Sequence, residues 1–151
     1  MRKVGINKLF AVVHHTATPT DFTAEDIDAI HREMGFAMVG YNYLITEQGC
    51  KVGRPANRRG AHTVVSRSVA PSFYLGCDMN SVSIGIALIG DFSKRAATPK
   101  MINEAAYHIR QLCLKHRIPI NRKHIFGHYK VSATFCPGRK TMEAIYKKMG
   151  I

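Results

Sequence analysis

The spacing of the apolar residues changes along the chain, and this limits the fold more than any other feature of the sequence. Lys8–His14, Tyr41–Thr46, Ser83–Ile89 and Lys123–Gly127 are short apolar runs of strand length, bounded by turn-forming residues. Between them lie stripes at helical spacing. Thr23 precedes Glu25 and Asp26 as an N-cap ahead of an acidic first turn, and Ile27, Ile30 and Met34 then share one face before Gly35. Thr98-Pro99 opens a longer helix, whose stripe of Ile102, Ala105, Ala106, Ile109, Leu112 and Cys113 ends near Arg117, ahead of Pro119. A last amphipathic segment, Lys140 to Met149, sets Met142, Ile145, Tyr146 and Met149 beside Lys140, Lys147 and Lys148. Strands that alternate with helices imply an α/β fold, a single domain over 1–151 with a central mixed β-sheet flanked by helices. Glu47-Gln48-Gly49 reads as a hairpin turn into Cys50–Gly53. Gly53–Met79 shows no clear period and reads as a long surface loop with room for a short helical turn.

A chain of 151 residues can bury roughly two-thirds of its unfolded surface without covalent staples. Cys50, Cys77, Cys113 and Cys136 are widely spaced and form no CxxC pair, so no disulfide framework is expected. Lys and Arg number 22 against 10 Asp and Glu, a net charge of +12. Such a field favours an anionic partner, whether nucleic acid, an envelope polymer or a membrane surface. The apolar run Leu9–Val13 stops at His14, too short for the core of a signal peptide. No stretch approaches the ~18 apolar residues of a membrane span. Synthesis in the cytoplasm without export is the expectation.

Chemistry concentrates where the strands end. His14 and His128 each close an apolar run, and Cys136 lies in a loop eight residues beyond His128. Two imidazoles and a thiolate suit Zn²⁺ and leave a fourth position for water. Blue copper sites place a His soon after the Cys, and no His follows Cys136. On residues alone, partly buried structural side chains stand as the alternative to metal ligands. His15 is expected to be a bystander, because neighbouring strand residues point to opposite faces.

Five segments then occur in order: Val13-His14-His15-Thr16-Ala17-Thr18; Gly40-Tyr41-Asn42-Tyr43; Gly60-Ala61-His62-Thr63; Asn80 with Ser83-Ile84-Gly85-Ile86-Ala87; and Gly127-His128 with Cys136-Pro137-Gly138. Together they resemble the type 2, zinc-dependent N-acetylmuramoyl-L-alanine amidases, a group that includes amidase-type phage lysozymes and the catalytic peptidoglycan recognition proteins. The resemblance spans residues 9 to 138. It implies one Zn²⁺ per chain, held by His14, His128 and Cys136, at the base of a peptidoglycan groove. It also implies that Tyr41 is the catalytic tyrosine. Thr134 stands where some phage enzymes carry Lys and many recognition-protein amidases carry Thr, and it is expected to donate a hydrogen bond to the developing oxyanion. His62, Tyr43 and Asn80 are the expected substrate-binding residues.

The resemblance further implies hydrolysis of the amide between N-acetylmuramic acid and L-alanine. No pair of carboxylates of the kind that flanks a glycosidic bond stands out. With no signal-peptide core, no separate wall-binding domain and a small size, the expected setting is a monomeric phage endolysin, made in the host cytoplasm, reaching peptidoglycan at lysis and drawn to the anionic envelope by its basic surface, with a bacterial recycling or prophage enzyme as the alternative. Val64–Met79 is longer than in the simplest family members, and Phe73 and Tyr74 within it are candidates for stacking on substrate or for anchoring the loop. Two other readings stay open: a non-catalytic peptidoglycan-binding module, and a basic nucleic-acid-binding protein. Against the latter, Arg54, Arg58, Arg59, Arg67, Arg95 and Arg139 are dispersed and no reader motif occurs, so no specific nucleic acid is expected.

Overall fold

The structure is a computed structural model that describes residues 1–3, 5 and 7–151. Its elements are β1 (Phe10–His15), α1 (Ala24–Glu33), β2 (Tyr43–Thr46), β3 (Gly49–Val52), α2 (Pro71–Gly76), α3 (Met79–Val82), β4 (Ser83–Leu88), α4 (Pro99–His116), β5 (Ile125–Gly127) and α5 (Arg139–Met149). The strands form one sheet in the order β3-β2-β4-β1-β5. Among the described strands β2 and β3 pair antiparallel, as a hairpin, whereas β2–β4, β4–β1 and β1–β5 are parallel. This is the mixed α/β sheet the alternation of periods implies.

Each helix start follows from its cap. Thr23 Oγ1 accepts from the Asp26 N–H at 3.1 Å and Asp26 Oδ2 accepts from the Thr23 N–H at 2.8 Å, a reciprocal capping box. Thr98 accepts from the Met101 N–H ahead of Pro99. The α4 stripe is buried along its length. With α5 it covers the sheet face formed by Ala11, Val13, Tyr43, Ile84, Ile86 and Leu88. Met142, Ile145, Tyr146 and Met149 of α5 are all buried in this layer, so the apolar face of the C-terminal segment is core. Among the described residues no helix is long and apolar enough to cross a membrane.

Several boundaries differ from the sequence reading. Strand β1 starts at Phe10; ahead of it the Leu9 N–H still donates to the Val82 carbonyl and the Lys8 ammonium to the Ser81 carbonyl, each at 2.7 Å. Strand β2 starts at Tyr43, because the Asn42 side chain takes the Gly85 N–H and donates to the Arg54 carbonyl. Strand β5 starts at Ile125, since the Lys123 and His124 N–H groups are drawn into a turn by Asn121 Oδ1. Met34 lies past the last turn of α1 and is 64% exposed, off the apolar face assigned to it.

Gly53–Met79 is not a surface loop throughout. Arg54, His62 and Thr63 are buried, and the segment contains α2 and the first residue of α3. The cause is polar. The Arg54 guanidinium donates to the carbonyls of Val39, Arg59 and Met38, each at 3.0 Å, and draws this backbone inward. Farther along, Ala70, Phe73 and Met79 pack on Val12, Phe126 and Val131, covering the other face of β1 and β5. Phe73 meets Phe10 edge-on at 5.3 Å and is thereby an anchor of the loop, whereas Tyr74 is half exposed.

Candidate active site

Strand alternation separates the two histidines of β1. Ala11 and Val13 face α4 and α5, Val12 and His14 the opposite side, and His15 returns to the helical side. His15 Nδ1 there accepts from the Phe92 N–H at 2.9 Å. In the β1–β5 register Val13 lies opposite Gly127. His128, the next residue after β5, is therefore carried alongside His14, with ring centroids 4.6 Å apart. The irregular segment after His128 folds back until Cys136 Sγ lies 3.9 Å from His14 Nδ1. One ligand atom from each of His14, His128 and Cys136 lies within 4.8 Å of the other two. Parallel strands β1 and β5 thus deliver the cluster at their carboxyl ends, where open α/β sheets bind ligands.

The chemistry of these three groups fits a metal. His128 Nε2 is buried without a hydrogen-bond partner among the described residues, and an orphaned buried nitrogen calls for a missing partner. Burial, helped by His62 and His128, holds His14 well below the ordinary imidazole value, and burial with His15 nearby brings His128 down to about 4. Both rings are therefore neutral with lone pairs free. Burial pushes the Cys136 thiol up to about 12, although the His15 N–H donates to its sulfur at 3.2 Å. A thiol so buried ionises at neutral pH only beside a strong cation, as a bound metal provides. Two imidazole nitrogens and a sulfur suit Zn²⁺.

The remaining predicted residues divide. Tyr41, ahead of β2, sets its ring 5.2 Å from that of His14 at a tilt of 49°, and the pKa of its phenol is raised by burial first and then by Cys136. His31 props it from behind at 5.2 Å while accepting from the Gly40 N–H. Thr134 lines a cavity of about 590 Å³ together with His128, His62, Val64 and Phe36. Its hydroxyl accepts from the Cys136 N–H at 3.2 Å, leaving its own proton to donate. Asn80 borders the same cavity, but its amide is spent on the loop: Oδ1 accepts from the His62 and Thr63 N–H groups and Nδ2 donates to the Thr63 carbonyl. His62 is buried in the wall, with Nδ1 turned to His14 and Nε2 toward Ser83, so neither nitrogen is offered to the groove.

Tyr43 is not in the groove. It belongs to β2, pairs with Ile86, and points to the α4 side, where its hydroxyl shares a hydrogen bond with His116 Nε2 at 2.8 Å. Alternation along the strand sets Tyr43 on the face opposite His14.

Sequence reasoning passed over Arg54, His31, Thr63 and Ser83 as contributors. A signal for Ser83 was present: in Ser83-Ile84-Gly85-Ile86-Ala87-Leu88 small residues alternate with large ones. The large ones face the α4 layer. The small ones leave room above the sheet for the histidines.

Fold and site define an α/β protein with a His-His-Cys cluster, buried at His14 and Cys136, that opens on a surface cavity at His128. The chain belongs to the N-acetylmuramoyl-L-alanine amidase family Amidase_2, whose model matches residues 7–139. It is similar to a peptidoglycan-recognition protein of Drosophila simulans, at 31% identity over 144 residues, 90% of this chain and 71% of the relative. Among solved structures it resembles the endolysin N-acetylmuramoyl-L-alanine amidase LysCS from Clostridium intestinale, at 28% identity and TM-score 0.77, covering 100% of this chain and 90% of that one. It likewise resembles the Ph2119 endolysin of a Thermus scotoductus bacteriophage, at 25% identity and TM-score 0.75, covering 99% of this chain and 90% of that one.

Proposed function

We propose that this protein hydrolyses the amide bond between N-acetylmuramic acid and L-alanine in bacterial peptidoglycan, as a zinc amidase acting in phage-type host lysis. The observation that carries the reading is the convergence of His14, His128 and Cys136, one ligand atom of each lying within 4.8 Å of the other two, beside a buried His128 Nε2 that has no hydrogen-bond partner among the described residues. His14 through Nδ1, Cys136 through Sγ and a ring nitrogen of His128 would hold one Zn²⁺. When bound, Zn²⁺ supplies Lewis-acid polarisation of the amide carbonyl and a lowered pKa for water.

The chain's own groups do the rest. Tyr41 packs its ring at a tilt against that of His14 on the site side of the sheet. Its phenol, kept protonated by burial, serves as a donor to the oxyanion as the carbonyl is attacked. Thr134 is the second donor, oriented because its oxygen is already engaged by the Cys136 N–H. The cavity beside His128 receives the peptide and sugar flanking the scissile bond, and the net charge of +12 favours approach to an anionic envelope. The full set of three ligand residues favours an enzyme over a recognition module.

Digestion of purified peptidoglycan tests the reading. New L-alanine amino termini, uncut glycan strands and arrest by a chelator are expected. New reducing sugar ends without new amino groups would overturn it in favour of a glycosidase. Tight wall binding without either product would replace it with a recognition module, and a salt-resistant, sequence-selective DNA shift with a nucleic-acid-binding protein.

A further inference from the structure

His62 occupies space that glycines leave. A Cβ on Gly85 would stand 2.5 Å from His62 Cγ, and one on Gly60 would stand 2.7 Å from its Cδ2. The ring so enclosed lies in a hydrogen-bond chain whose direction can be read from its far end. Ser83 Oγ is 2.5 Å from the Met79 carbonyl oxygen, which can only accept, so the one hydroxyl proton of Ser83 is committed there. Toward His62 Nε2, at 3.4 Å, Ser83 is therefore the acceptor, and Nε2 carries the ring proton. A neutral imidazole has a single N–H, so His62 Nδ1 is bare and accepts. It lies 3.0 Å from His14 Nε2 and 2.9 Å from Thr63 Oγ1. Thr63 Oγ1 also stands 3.4 Å from His14 Nε2, but two bare nitrogens 3.0 Å apart would set lone pair against lone pair, so His14 Nε2 carries the proton between the rings, and His14 Nδ1, the nitrogen facing Cys136 Sγ, keeps its lone pair.

We propose that His62 is a positioning residue. It holds His14 as the Nε2–H tautomer and fixes its ring so that Nδ1 is presented to the metal, with Ser83 and the Met79 carbonyl anchoring the chain behind it. Metal-bound histidines depend on such an outer acceptor for tautomer, orientation and basicity, and losing it typically costs 10–100-fold in metal affinity. The assignment rests on the zinc reading above and gives a buried histidine of the groove wall a role directed at the protein's own ligand.

Two near-isosteric variants separate this role from simple packing. In His62→Leu a carbon stands where Nδ1 stood; in His62→Asn, Oδ1 stands there and can accept from His14. Zinc affinity is measured by chelator competition, with thermal unfolding of the zinc-free proteins as the control for folding. His62→Leu is expected to weaken zinc binding by about 10–100-fold, while His62→Asn stays close to wild type. Wild-type affinity in His62→Leu, or equal losses in both variants, would overturn the proposal. If neither variant folds, the wild-type protein decides: long-range proton–nitrogen correlation in the zinc-free chain should place the His14 proton on Nε2, and a proton on Nδ1 overturns the proposal. Absence of zinc binding by the wild-type chain would overturn the zinc reading together with it, whereas tight zinc in His62→Leu overturns this inference alone.

Discussion

Adding one methyl group at Gly85 tests the packing that supports the site. In Gly85→Ala the new Cβ would lie 2.5, 2.6 and 2.8 Å from His62 Cγ, Cδ2 and Nδ1, against the 3.5–4.0 Å of a normal carbon contact. About 1 Å must be found. The strand cannot supply it: the Gly85 N–H donates to Asn42 Oδ1 at 2.8 Å, its carbonyl accepts from the Asn42 N–H at 2.9 Å, and Val12 is its partner on β1. The ring is confined by Gly60 and by its bonds to His14 and Thr63. Overpacking of this kind costs about 1–3 kcal/mol. At about 2–4 °C per kcal/mol for a chain of this size, the melting temperature should fall by roughly 2–12 °C. Circular dichroism melts of the zinc-free proteins read this directly. Gly76→Ala is the control, since its Cβ meets nothing within 4 Å and its φ is not left-handed; a neutral or slightly stabilising effect is expected there. A Gly85→Ala protein that melts with wild type would refute the confinement argued for His62.

Three further outcomes follow from the same geometry. His128→Ala and Cys136→Ser should each lose bound zinc and wall lysis together, read by metal analysis and turbidity; full activity without metal would contradict the ligand assignment. Tyr41→Phe and Thr134→Ala should retain zinc but lose turnover by about 10²–10³-fold, the usual cost of one oxyanion donor, and wild-type rates would remove them from the reaction. Acid should destabilise the metal-free fold. Burial, then neighbouring positive charge, holds His128 at about 4 and His62 at about 3 against an ordinary 6.5. The unfolded chain therefore binds more protons throughout that window, and stability falls as pH drops from about 6.5 toward 3. A urea midpoint that stays flat across the window would count against neutral, buried imidazoles.

Local chemistry carried most of the element order. Capping residues and the α4 stripe are legible because a helix keeps its signals within a few residues, and Thr23, Thr98 and Ile102–Cys113 occupy the positions they imply. His14, His128 and Cys136 were legible as a candidate ligand set through residue type, position after apolar runs, and family resemblance. What periodicity does not contain is strand order and register. Only the parallel pairing of β1 with β5 brings His14 beside His128. Only the placement of β2 next to β4 shows that Tyr43 faces α4, whereas Tyr41, ahead of the strand, escapes that alternation and reaches His14. The inward path of the segment after Gly53 depends on Arg54 meeting carbonyls of Val39 and Met38, and the role of His62 depends on Gly85, His14 and Ser83 converging on its ring. These contacts join residues distant in sequence and exist only after the sheet has closed. An amino-acid pattern determines which faces are apolar and where chain direction changes; which polar atoms then meet across the sheet is decided by tertiary packing, where each buried donor and acceptor must find a partner.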